Sequence, residues 1–218
     1  MQTYGYTISF DQFLPEVMQF APDVPEIIAM HAVKNACIEF CERSLYWQVD
    51  LPALSVTANK ANYALQTPVD TKLVQLISTY FDQSLLIPAA PDELANIYRM
   101  GNWQTMVGNP QYVTQVIRPE VVLVPMPYES RSNILSIRVA VAPTRDAESI
   151  DSEIYEQFAE RIGYGARARL YNTPGQPYYD KNAALEMMKL FRTSISEVRI
   201  MVNKGLPRTS PQVEYQVF

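Results

Sequence analysis

Apolar residues recur at helical spacing from position 9 to position 47. The stretch SFDQFLPEVMQF (9–20) predicts a short helix capped by Ser9 and kinked at Pro15. APDVPEIIAM then opens a second helix. Asp23 stands in cap position, Pro25 in the first turn, and Glu26 three residues after Asp23, as in a capping box. No proline or glycine interrupts the chain from there to Trp47, which predicts roughly 35 Å of helix at ~1.5 Å per residue. At ~100° per residue, Ile27, Met30, Val33, Cys37, Ile38, Phe40, Cys41 and Leu45 share one apolar arc, with Asn35, Glu39, Glu42 and Arg43 opposite.

The period changes over 51–148. LSVTA (54–58) and NYAL (62–65) flank a polar turn, as do KLVQLISTYF (72–81) and SLLIP (84–88) around Asp82-Gln83, so two hairpins are expected. Further strands are predicted at 111–117, 121–125 and 134–142, with a short helix opening at Pro91 and a long loop around Trp103. Helix returns at 150–171, capped by Asp151 or Ser149 and broken by NTPGQP (172–177). It resumes over 182–203 with Leu185, Met188, Phe191, Ile195, Val198 and Val202 on the inner face, and Gly205 and Pro207 as a stop.

The expected fold class is therefore α+β. A discontinuous helical domain (1–50 and 149–204) packs as a bundle, and an antiparallel β sandwich or barrel (51–148) is inserted in it. An extended arm (205–218) follows. In that arm Val213, Tyr215 and Val217 alternate with polar residues before Phe218, a pattern suited to a strand docking on another chain or on its own subunit.

Composition narrows the function. Apolar residues at 48% and charged residues at 19% describe a folded globular chain. The first basic side chain is Lys34 and no apolar run nears the ~20 residues of a membrane span, so neither an export signal nor membrane insertion is expected. Seven acids face two bases in residues 1–50, which accounts for the whole net charge of −5. Such a chain is poorly suited to gripping phosphates, and suits a surface that DNA slides past.

Candidate chemistry is sparse. Cys37 and Cys41 lie in the apolar arc, cannot readily bridge within one helix, and would need two further ligands for zinc, so they read as core residues in a chain made in a reducing compartment. The one histidine, His31, reads as a packed or half-exposed structural residue. Gly163-Tyr164-Gly165 falls within a helix and serves close packing rather than phosphate binding. Asp92-Glu93 and the Asp146, Glu148, Asp151, Glu153 group fit helix caps and solvated faces. No catalytic, metal or cofactor set emerges. A competing reading is a nucleic-acid-binding module that uses the tyrosines with Arg167 and Arg169.

Several segments, in order, carry a resemblance: PDVPEIIAMHAVKNACIEFCERSLYW, LSVTANKANYAL, LLIPAAPDELANI, GNPQYVTQ, VVLVPMPYES and IYEQFAERIGYGARARLYNTPGQPYYD. Over roughly residues 15–200 the chain resembles the head-to-tail connector, or adaptor, proteins of tailed bacteriophages, especially short-tailed ones. FCER…W and GARARLYNTPGQP are the more specific pieces. The resemblance implies a non-enzymatic virion protein made in the host cytoplasm. Its copies would form a ring, twelvefold, between the portal protein and the tail or nozzle proteins, with double-stranded DNA passing through the centre. Candidate interaction residues are then Val213, Tyr215, Val217 and Phe218, and candidate channel acids are Glu16, Glu39 and Glu42.

Overall fold

Helices at the two ends of the chain bury one apolar set together, and the strands between them bury another. The computed structural model describes residues 6–98 and 102–204. In chain order these form β1 (Thr7–Ser9), a 3-10 turn (Phe10–Phe13), α1 (Pro15–Met18), α2 (Glu26–Ser44), β2 (Gln48–Asp50), β3 (Leu54–Val56), β4 (Asn62–Ala64), β5 (Thr71–Phe81), β6 (Ser84–Leu85), β7 (Ile87–Pro88), α3 (Pro91–Ile97), β8 (Val107–Gly108), β9 (Tyr112–Thr114), β10 (Glu120–Val124), β11 (Met126–Pro127), β12 (Arg131–Pro143), β13 (Ser149–Asp151), α4 (Ser152–Tyr171) and α5 (Lys181–Lys204). The fold class is α+β, as expected. The candidate arm residues Val213, Tyr215, Val217 and Phe218, and the stop at Gly205, lie outside the described residues.

The helical core gathers Phe13, Val33, Cys37, Phe40, Phe158, Ile162, Phe191 and Ile195, so the chain-terminal helices do pack together. The β core is a sandwich. Leu73, Phe81, Leu135 and Val139 come from a sheet ordered β2-β12-β5-β6 with β3 also on β12, and Tyr63, Val113, Val121 and Leu123 from a sheet ordered β4-β10-β9-β7. β12 joins the two cores. Leu135, Ile137, Val139 and Val141 face the sandwich, whereas Ala142 belongs to the helical core.

Several local expectations hold. Asp82 and Gln83, with φ of 46° and 66°, make the two-residue turn between β5 and β6, pairing Tyr80 with Leu85. Asp151 caps α4 by accepting the Glu153 N–H at 2.9 Å. Glu93 accepts the Ala90 N–H at 2.9 Å at the start of α3.

Others are overturned. Residues 54–65 are not a hairpin: β3 pairs with β12 and β4 with β10, so the turn crosses between the two sheets. Three-residue strands gain more from a long neighbour than from each other. The Tyr63 hydroxyl also pins the crossing, donating to Lys60 O at 2.9 Å and accepting the Thr57 N–H at 3.2 Å. The sheets are not purely antiparallel, since β7 with β9 and β8 with β11 run parallel. α2 begins after Pro25 with no side-chain cap, so Asp23 and Glu26 form no capping box. It ends at Ser44, not Trp47. Leu45, buried and left-handed at φ 56°, donates its N–H to Cys41 O, and the chain turns to place β2 against β12. Burial of Leu45 and the new strand outweigh continued helix. Ile27 and Leu185, expected inside, are exposed. His31 is exposed too, in hydrogen-bond contact with the Asn35 side chain.

Candidate functional site

α4 is the hub of the helical end, and its small residues allow that. A Cβ at Gly163 would stand 3.0 Å from the Cβ of Glu16 and 3.3 Å from its carbonyl oxygen, so α1 crosses there. A Cβ at Gly165 would stand 2.8 Å from the ring of Phe191, so α5 crosses two residues later. The close-packing reading of this Gly-Tyr-Gly segment is correct.

The two arginines proposed for nucleic acid are used inside the protein. Arg167 is 5% exposed. Its guanidinium lies 4.0 Å from the ring centre of Phe20 and 5.1 Å from that of Tyr164, with Nε donating to Gly163 O at 3.4 Å. Arg169 donates to Gly165 O at 2.6 Å and pairs with Glu39, tying α4 to α2. Neither forms part of an open basic surface.

Of the three candidate channel acids, Glu39 and Glu42 stand one turn apart on α2 and Glu16 stands on α1. Glu39 pairs with Arg43 at 2.8 Å as well as with Arg169, and Glu42 pairs with Lys72 of β5 at 2.6 Å. Glu16 is half-buried where α1 meets Gly163. Two of the three charges are thus compensated within the subunit.

Two grooves open on the surface. One, of about 400 Å³, is lined by Phe20, Pro22, Tyr171, Pro177, Tyr178 and Tyr179 among others. The Tyr171 hydroxyl donates to Phe20 O at 3.2 Å, and the Asp180 N–H to Tyr171 O at 3.1 Å, holding its walls. Asp180 also caps α5, accepting the N–H groups of Asn182 and Ala183 at 2.9 and 3.0 Å. The sequence reading missed that cap and this groove, whose walls lie about 150 residues apart in the chain. The only local signal was the Pro-Tyr-Tyr run at 177–179. The second groove lies at the tip of the β5–β6 hairpin, lined by Tyr80, Asp82, Asn133 and Ser136, with Arg131 paired to Asp82 at 2.8 Å.

Electrostatics at the buried groups oppose reactivity. Burial pushes both the Cys37 and Cys41 thiols well above their ordinary value, and each is free within the helical core. Tyr46 is raised by burial and by donating to Glu153 at 2.9 Å. Asp50 is lowered because Arg138 bonds both its carboxylate oxygens, at 2.7 and 2.9 Å. Among the described residues no three or more His, Cys, Asp or Glu side chains group with metal-holding geometry, and no helix is long and apolar enough to cross a membrane.

Polar side chains here cap helices, buttress crossings and pair with one another, and the open features are grooves and apolar faces. Those are features of packing and of contact surfaces. Comparison with known families agrees: the chain belongs to the SU10 adaptor protein family, whose model matches residues 8–213. It is accordingly a structural adaptor protein of a bacteriophage, a component of the virion. No curated protein matches the chain significantly.

Proposed function

We propose that copies of this chain close into a ring, twelvefold, between the portal protein and the tail or nozzle of a short-tailed phage. DNA crosses the centre of the ring during ejection. The carrying observation is the extent of the family match, residues 8–213, which takes in the helical and the β core together. A subunit with a helical end and a β end, joined through one continuous strand, offers separate surfaces to two different neighbours. Ring closure requires a heterologous contact, one face of a subunit against a different face of the next.

Two parts of this reading come from sequence pattern. The arm carrying Val213, Tyr215, Val217 and Phe218 docks on the portal protein or a neighbouring copy. Removing residues 206–218 then weakens attachment, and undiminished particle assembly by the truncated protein would refute that role. The channel repels DNA weakly, through the net charge of −5 to which Glu16, Glu39 and Glu42 contribute, the latter two in part compensated by Arg169, Arg43 and Lys72. The nucleic-acid-module alternative loses its named arginines to Phe20 and Glu39. Isolated protein should show no salt-dependent affinity for DNA, and tight salt-sensitive binding would restore the alternative.

The decisive experiment is assembly without the protein. Portal-bearing heads lacking tails are expected. Infectious tailed particles without density for this chain at the head–tail vertex would end the proposal.

A further inference from the structure

Three of the exposed apolar side chains of the helical end, Ile27, Ile28 and Leu185, lie at one height along the bundle, while Leu190 and Ile200 are exposed farther along α5. α2 and α5 run parallel. Arg199 donates to Arg43 O at 3.0 Å near their C-terminal ends, and Phe20–Asp23 share a groove with Tyr178, Tyr179, Asp180 and Ala183 near their N-terminal ends. Ile27 and Ile28 therefore open α2 at the same level as Leu185 opens α5. Ile27 is 84% exposed and Leu185 63%, so neither serves the core of its own chain.

Charge separates the two faces. Asp23 and Glu26 are exposed beside Ile27, and neither has an ion-pair partner among the described residues. On α5, Lys181, Lys189 and Arg192 are exposed and equally without ion-pair partners among the described residues, and Glu186 is the single acid between positions 181 and 192. One face is apolar and acidic, the other apolar and basic.

We propose that the α2 face of one copy seats against the α5 face of the next; this rests on the ring reading above. The occupant of each face is a second copy of the same chain. Ile27 and Ile28 meet Leu185, while Asp23 and Glu26, on the N-terminal side of Ile27, meet Lys181, one turn to the N-terminal side of Leu185. Because both apolar clusters lie at the same height on parallel helices, neighbours are related by rotation without displacement along the bundle. Contacts of that kind close into rings, whereas displaced ones wind into filaments. Two α2 faces brought together would set acid against acid, which disfavours a two-fold dimer through that surface.

The test uses full-length chain in assembled phage particles. A variant carrying both Ile27→Cys and Leu185→Cys, oxidised and run on a non-reducing gel, should give a ladder extending beyond the dimer. Either substitution alone should give none, because Cys37 and Cys41 are buried. Ile28→Cys paired with Lys189→Cys repeats the test one side chain away, in case the first pair disturbs packing. Independently, Glu26→Lys or Lys181→Glu alone should lower incorporation into particles several-fold, and the two together should restore it. If a lysine-reactive cross-linker yields the ladder but neither cysteine pair does, and the double charge swap fails to rescue, the ring stands and these faces are wrong. If no cross-linker yields multimers, the ring reading itself falls, and this contact with it.

Discussion

Replacing Gly165 with alanine sets two effects of known sign against each other. A methyl group in mid-helix is favourable by about 1 kcal/mol, since glycine is the poorest helix former after proline. The same methyl would lie 2.8 Å from two atoms of the Phe191 ring and 2.9 Å from a third. Carbon atoms pack comfortably at about 3.5–4.0 Å, so the ring must retreat by about 1 Å. Phe191 is fully buried in the helical core, with nowhere to retreat cheaply. Overpacking of this kind costs about 1–3 kcal/mol, which leaves Gly165→Ala destabilised by up to about 2 kcal/mol net of the helix gain. Urea unfolding followed by helical circular dichroism should show a lower midpoint at unchanged slope. The cause can be isolated. In combination with Phe191→Leu, which removes the ring, Gly165→Ala should cost less than it does alone, giving a coupling of about 1 kcal/mol or more between the two sites. A variant more stable than the parent, or strict additivity with Phe191→Leu, would show that the α4–α5 crossing is not set by this glycine.

Thr79, 2% exposed, has no hydrogen-bond partner for its hydroxyl among the described residues. Thr79→Val should therefore raise stability by about 1 kcal/mol in the same urea assay, and a loss would mean that water satisfies the hydroxyl. Burial holds both thiols above their ordinary value, so native protein at pH 8 should leave a disulfide reagent unreacted, with two equivalents consumed only on unfolding. Rapid labelling of the folded chain would place Cys37 or Cys41 outside the core. Asp50 has a lowered folded-state value, so its pairing with Arg138 stabilises above the ordinary carboxylate range and is lost as pH falls through the folded value. Between pH 5 and pH 2 the parent should lose slightly more stability than Arg138→Met, by under about 1 kcal/mol because the pair is exposed, and equal losses would count against the pair. β12 serves both cores, and Trp103 clusters with Val122 and Val124 of β10, whose Val121 and Leu123 lie in the β core, so the helical signal and Trp103 fluorescence in a Trp47→Phe background should report one transition, and separate midpoints would contradict that coupling.

What was legible in the sequence was local. Asp151 caps the helix that follows it, Asp82-Gln83 turns one hairpin, and Gly163 and Gly165 admit neighbouring helices, because each acts within a few residues of chain. What was not legible depended on distant partners. The residue 54–65 crossing is decided by β10 and β12, far along the chain, and nothing in LSVTANKANYAL reveals them. Leu45 ends α2 in a left-handed conformation because burying it and pairing β2 with β12 outweigh the backbone cost. Helical periodicity placed Ile27 and Leu185 in the core for a different reason. Apolar spacing marks a surface to be covered, and it does not distinguish cover by the same chain from cover by another.

The same distinction governs the charges. All of the net charge arises in the first fifty residues, yet the fold takes Glu39, Glu42 and Asp50 out of circulation by pairing them with Arg169, Lys72 and Arg138, each from a later part of the chain. Asp23 and Glu26 are left exposed at the start of α2, together with the exposed Asp11 before α1. In a free subunit that residual acidity repels the equivalent face of another copy and attracts the basic side of α5, so it selects one direction of addition. On the proposed contact, each junction then neutralises much of the field that guided it. Such pairing leaves the net charge of −5 per copy unchanged, so the assembled ring would still repel the phosphates weakly and would not grip them. Acidity in this chain is on that view an assembly signal first, and a property of the channel only in what assembly leaves unpaired.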